Sequence, residues 1–162
     1  MKKFIDSPEV KEFCEITHLM YQKGWDERNG GNVSWIIDNE KIEPYFIQKP
    51  TDTRRISLPF NVEELANKYL LVTGTGKYFK NIIKNPQDAI GLIQISQDGK
   101  SYEIIWGFVN GAVATSELPT HLMNHIQRLK VDENHRGKFL GLVEENDVSG
   151  INHLKDLGIT HV

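Results

Sequence analysis

The chain has 162 residues, 39% of them hydrophobic and 25% charged, with 22 acidic against 19 basic side chains and a net charge of -3. That length gives room for one domain with a real core, and the near balance of charge removes the electrostatic case for nucleic acid or an anionic membrane, because basic residues such as Lys77, Lys80 and Lys84 are matched by acids. No apolar run approaches the roughly 20 residues that span a bilayer, Met1-Lys2-Lys3-Phe4 lacks a following apolar signal core, and the single cysteine, Cys14, excludes an internal disulfide, so a reducing, cytoplasmic setting is expected.

In chain order, Ser7 as N-cap and Pro8 at the first helical position predict a helix from Ser7 to Lys23, with Cys14 as a small buried residue and His18 at the surface or boundary. The stretch from Gly24 to Ser34 then places two amide side chains and a glycine pair between that helix and a strand. Glycines let backbone N–H groups approach a ligand, and Asn29 and Asn32 add neutral donors, so the stretch reads as an anion cradle. A plain turn would use the same residues. Val33 to Asp38 alternates as a strand and turns at Asp38-Asn39, and residues 44 to 60, with Pro44, Pro50, Pro59 and Thr51-Asp52-Thr53, read as a long surface loop.

A short helix from Val62 to Asn67 leads to a strand at Tyr69 to Thr73, which breaks into Gly74-Thr75-Gly76-Lys77 and so exposes N–H and O–H donors at its carboxyl end. A short helix near Pro86 to Ala89 precedes a hairpin, Ile90 to Ser96 paired with Tyr102 to Gly107 across Asp98-Gly99. Ala114-Thr115-Ser116-Glu117 sets two hydroxyls and a carboxylate at the start of a helix from Ser116 to Val131, whose apolar side is expected at Leu118, Met123, Ile126 and Leu129. Capping explains the same residues, with Thr115 or Ser116 as N-cap and Glu117 and Pro119 in the first turn. The order helix, strand, strand, hairpin, helix predicts a mixed sheet with helices packed on it.

GWDERNGGNVSW, LLVTGTGKYFKNI, the Gln97-Asp98-Gly99 hairpin and IIWGFVNGAVATSELPTHLMNH together resemble the class II aldolase and adducin family over about residues 23 to 136, and within it the rhamnulose-phosphate aldolase branch. The resemblance implies a three-layer α/β/α fold with a mixed central sheet. It also implies cleavage of L-rhamnulose 1-phosphate to dihydroxyacetone phosphate and L-lactaldehyde through a zinc-bound enediolate. Asn29, Gly31, Asn32, Thr75, Thr115 and Ser116 are then expected around the substrate phosphate, with Thr75 keeping the hydroxyl where relatives often have Ser. Glu117 is expected to transfer the proton. The chemistry asks for such a carboxylate, since removing a proton beside a carbonyl builds charge that a divalent metal stabilises while a positioned carboxylate moves protons. Phosphorylated ketose or dihydroxyacetone phosphate is the expected partner, and relatives of this branch form homotetramers.

The family's His-x-His pair, expected a few residues beyond Arg136, and its later third histidine are absent from the sequence. His121 and His125 have the i, i+4 spacing that holds zinc when a third ligand converges, but no Glu follows His121 and metal duty is not expected of them. Glu117 is therefore the expected catalytic residue, with no metal ligand assigned. Residues 137 to 162 resemble the opening of the catalytic barrel of pullulanase-type glycoside hydrolases, without that family's carboxylates, so Glu144 and Glu145 are not read as a glycosidase pair. The expected organisation is the first part of an aldolase domain over 1 to 136, incomplete at its carboxyl end, and a short unrelated tail. For want of the metal ligands this chain by itself is expected to be inactive, and the alternative is a non-catalytic truncated or chimeric remnant that at most binds a phosphorylated ligand.

Overall fold

The computed structural model describes residues 2–24, 31–130, 140–143 and 160–161. Helix α1 spans Pro8–Gln22, and the Ser7 hydroxyl accepts the Val10 N–H at 3.2 Å, so the predicted cap and the proline at N1 start it as expected. Strand β1, Asn32–Ile37, is followed by a helical turn α2, Asn39–Ile42, where the sequence predicts only a turn. The expected loop between residues 44 and 60 is corrected in part: Arg55–Ser57 forms a short edge strand, β2, paired to the hairpin. Three residues flanked by Pro50 and Pro59 give too short an alternation to read.

Strand β3 is Tyr69–Thr73, and the helical turns α3, Phe79–Ile82, and α4, Pro86–Ala89, lead into strands β4, Ile90–Ile95, and β5, Ser101–Gly107. At the hairpin turn Gly99 sits at φ +72, where side chains are strained. Helix α5 spans Leu118–Leu129, and strands β6, Leu140–Val143, and β7, Thr160–His161, complete one sheet in the order β2-β5-β4-β3-β1-β6-β7. All pairs are antiparallel except β6 with β7, so the sheet is mixed. β6 pairs with β1 from Asn32 opposite Val143 to Trp35 opposite Leu140, so the sheet continues across the expected boundary near Arg136.

Side chains alternate across this sheet and build two cores. On one face Val33, Trp35, Ile37, Leu71 and Leu92 pack against Val10, Phe13 and Met20 of α1. On the other, Leu70, Val72, Ile93 and Ile104 pack against Leu118, Leu122 and Ile126 of α5. The predicted α/β/α layering follows directly. The apolar side of α5 needs one correction: Leu122 is fully buried and Met123 is 44% exposed, because four residues advance the helix by about 40° beyond a full turn and five by about 140°.

Phe108 locks the end of the hairpin. It has a positive φ of 48 and is buried, with its ring over Gly91, where an added Cβ would meet ring atoms at 2.3 Å. Gly91→Ala is expected to lower the unfolding free energy by about 1–3 kcal/mol through this overlap. Urea denaturation checks it, and an unchanged midpoint would contradict the packing.

Candidate functional site

Three segments that carry expected site residues meet at Thr73, the last residue of β3. Its hydroxyl accepts the Val33 N–H at 3.0 Å and its carbonyl accepts the Thr115 N–H at 2.9 Å, while Thr73 itself is buried. Next to it Gly74 bridges Ala114, and the Thr75 N–H and hydroxyl donate to the carbonyls of Val113 and Ala114, each at 3.0 Å. Asn32 at the start of β1, Thr75 in the turn after β3, and Thr115 and Ser116 just before α5 are thereby held on adjoining segments. Gly31 and Thr115 are buried, Asn32 is half-buried, and Thr75, Ser116 and Glu117 are exposed. Asn29 lies outside the described residues.

Helix α5 begins at Leu118, two residues later than expected. Glu117 occupies its N-cap position but makes no capping hydrogen bond, and the Thr115 hydroxyl instead accepts the Glu117 N–H at 3.2 Å. A hydroxyl closing a turn two residues ahead is the ordinary ST-turn alternative to a cap. The exposed Glu117 carboxylate is thus not consumed by the helix start.

The approach to this corner is fixed from behind. Arg54 donates to the carbonyls of Phe108, Gly111 and Ala112 at 2.8 to 3.0 Å, and the Tyr102 hydroxyl accepts the Ala114 N–H at 3.3 Å. Lys77 and Asn110 both donate to Asp88, tying the loop after β3 to the loop after β5. Those bonds, Asn110 first and then Lys77, hold the Asp88 carboxyl below its usual range. Arg54 was not legible as a site residue, because nothing local in the sequence connects it to the segment 54 to 58 residues downstream that it braces.

A buried polar line runs beneath the site. The even-numbered side of β1 faces α5, so Asn32 Oδ1 contacts His121 Nε2, His121 Nδ1 lies 2.7 Å from Ser34 Oγ, and Ser34 Oγ lies 2.9 Å from His125 Nε2. Ser34, His121 and His125 are all buried. Burial, and for His121 also the neighbouring His125, depress the two imidazoles to about 3 and about 4, so both rings are neutral at pH 7. Sequence reasoning left this line unread, although both histidines fall on the stripe of α5 defined by Leu118, Leu122 and Ile126.

The residues described do not fit a zinc site. Ser34 and Asn32 engage three of the four ring nitrogens, and among the described residues no group of three or more His, Cys, Asp and Glu side chains could hold a metal. Cys14 is no candidate nucleophile or ligand either, since burial first, and Glu15 second, push its thiol up to about 11.

Residues 11–132 match the model of the class II aldolase and adducin N-terminal domain. The chain belongs to that family. Class II aldolase family relatives include a rhamnulose-1-phosphate aldolase of Listeria innocua serovar 6a, 45% identical over 83% of this chain and 49% of the relative, and one of Enterococcus faecalis, 41% identical over 97% of this chain and 53% of the relative. The chain spans about half the length of the relatives it matches. A solved structure of a sugar-phosphate aldolase from Thermotoga maritima superposes with a TM-score of 0.57 at 26% identity, covering 75% of this chain and 47% of that one. The α/β fold read from the sequence is therefore the fold of a class II aldolase.

The two neutral histidines carry a pH signature. Their folded pKa values lie below the ordinary 6.5, so the unfolded chain binds the extra protons, and stability is lost as pH falls below about 6.5 toward the folded values. Between pH 7.5 and 5.0 each histidine is expected to cost roughly 2 kcal/mol of stability. Urea unfolding at the two pH values measures this, and a flat profile would contradict neutral burial of the pair.

Proposed function

We propose that this chain carries the phosphate-binding and proton-transferring part of a rhamnulose-1-phosphate aldolase, acting on L-rhamnulose 1-phosphate and releasing dihydroxyacetone phosphate and L-lactaldehyde. The observation that carries the proposal is the joining, through backbone hydrogen bonds at Thr73 to Thr75, of the segments that carry Asn32, Thr75, Thr115 and Ser116, with Glu117 next in the chain and its exposed carboxylate making no cap bond. In this reading Asn29, Gly31, Asn32, Thr75, Thr115 and Ser116 surround the phosphate with neutral donors, the Thr75 hydroxyl turning to the ligand from the Ala114 carbonyl it engages in the free chain, and such donors hold an anion by direction and need no basic cluster.

Glu117 then moves a proton at the carbon beside the carbonyl and at the oxygen of the departing aldehyde, a task that needs an ionisable, accessible carboxylate. Zinc ligation is assigned to no described residue, and no step is routed through it. The binding of a phosphorylated ligand without turnover stands as the second reading, since among the described residues no group of three His, Cys, Asp or Glu side chains could hold a metal. The match of the Enterococcus faecalis relative over 97% of the chain and the pairing of Leu140–Val143 with β1 support a further point. In this reading Leu140–Val143 belong with the aldolase sheet, not with a separate hydrolase fragment.

Glu117→Gln keeps size and most hydrogen bonding while removing the proton carrier, so cleavage of L-rhamnulose 1-phosphate is expected to fall by roughly 10²-fold or more. Dihydroxyacetone phosphate affinity is expected to stay within about twofold, because a uniform binding contact is not the lost element. A coupled dihydroxyacetone phosphate assay with titration calorimetry separates the readings. Full turnover in the variant removes Glu117 from the mechanism, and phosphate binding with no turnover in the unaltered chain favours the second reading.

A further inference from the structure

The line Asn32, His121, Ser34, His125 has only two self-consistent directions when both imidazoles are neutral. Ser34 has one hydroxyl proton and lies between His121 Nδ1 and His125 Nε2, at 2.7 and 2.9 Å. If Ser34 donates to His121 Nδ1, then His121 carries its proton on Nε2 and donates it to Asn32, while Ser34 accepts from His125 Nε2–H. If Ser34 donates to His125 instead, His121 Nδ1–H donates to Ser34, and His121 Nε2 becomes an acceptor that only the Asn32 amide nitrogen could satisfy.

The structure has Asn32 Oδ1, not Nδ2, against His121 Nε2. That orientation is an assignment between two near-identical amide ends; with it the line runs in the first direction and both Nδ2 hydrogens of Asn32 have no hydrogen bond to any described residue. The reverse direction would turn the carboxamide over and present its oxygen outward, which repels an anion. The direction of proton donation inside the core therefore decides whether the half-buried Asn32 is a donor or an acceptor at the surface of the site.

We infer that His121 is a positioning residue which, with its tautomer fixed through Ser34 and His125, holds the Asn32 carboxamide with its N–H donors toward a bound phosphate. The inference rests on the phosphate site proposed above. His125 serves at one remove, by giving Ser34 a donor to accept and so leaving its own proton for His121.

The test uses the whole chain with dihydroxyacetone phosphate as the probe, together with nitrogen-15 NMR of the histidine rings without ligand. His121→Gln keeps an N–H donor close to the position of Nε2 and is expected to bind within about twofold of the unaltered chain, whereas His121→Leu is expected to bind roughly tenfold more weakly. In an Asn32→Ala background His121→Leu is expected to weaken binding no further. A merely structural histidine would add its own loss there, and that additivity would overturn the inference, as would full affinity in His121→Leu.

NMR is expected to show His121 protonated on Nε2 and bare on Nδ1. The opposite tautomer overturns the inference whatever the variants do, including the case in which His121→Leu does not fold. Failure of the unaltered chain to bind dihydroxyacetone phosphate overturns the phosphate site and with it the role toward phosphate, while the Nε2–H tautomer with the Asn32 contact would still support the positioning of Asn32.

Discussion

Thr73 joins the three segments on which the site depends. Its hydroxyl takes the N–H of Val33, which follows Asn32, and its carbonyl takes the N–H of Thr115, which precedes Ser116 and Glu117. Both bonds are buried, where an unpaired donor costs about 1–3 kcal/mol, so neither partner can drift away without that penalty. The register of β1 against β3, with Ser34 opposite Val72, then fixes which face each side chain meets. A slip of one residue would exchange Ser34 with Val33 or Trp35 and bring an apolar side chain against His121.

This constraint explains why a polar line can exist inside an apolar core. Leu118, Leu122 and Ile126 supply the packing of α5, and His121 and His125 share that stripe because each ring nitrogen facing Ser34 or Asn32 has a partner. Pairing these buried groups with one another avoids the cost that an unpaired polar group would carry inside an apolar core. Segments held by backbone bonds hold neutral donors in place better than a free loop would.

Much of the fold was legible because local rules agreed with the tertiary structure. Ser7 and Pro8 start α1, Tyr69–Thr73 is an unbroken apolar run, and Asp98-Gly99 closes the hairpin. Arg55–Ser57 was missed because three residues on a sheet edge carry too little pattern, and Phe79–Ile82 because a single helical turn has no periodicity of its own. For the candidate site, the motif resemblance proposes residues by position, and the segments that carry Asn32, Thr75, Thr115 and Ser116 adjoin in the fold. The supporting shell stayed hidden. Ser34 and His121 are 87 residues apart, and only the pairing of β1 beneath α5 brings them together.

The central claim is that these adjoining segments form one phosphate site, and a crystal structure of the chain grown with dihydroxyacetone phosphate tests it most directly. The account predicts a phosphate within hydrogen-bonding distance of Asn32 Nδ2 and of the Thr75 and Ser116 hydroxyls, with the Glu117 carboxylate beside the ligand's hydroxymethyl carbon. A phosphate bound elsewhere, or a ligand whose phosphate leaves Asn32 untouched, would contradict it.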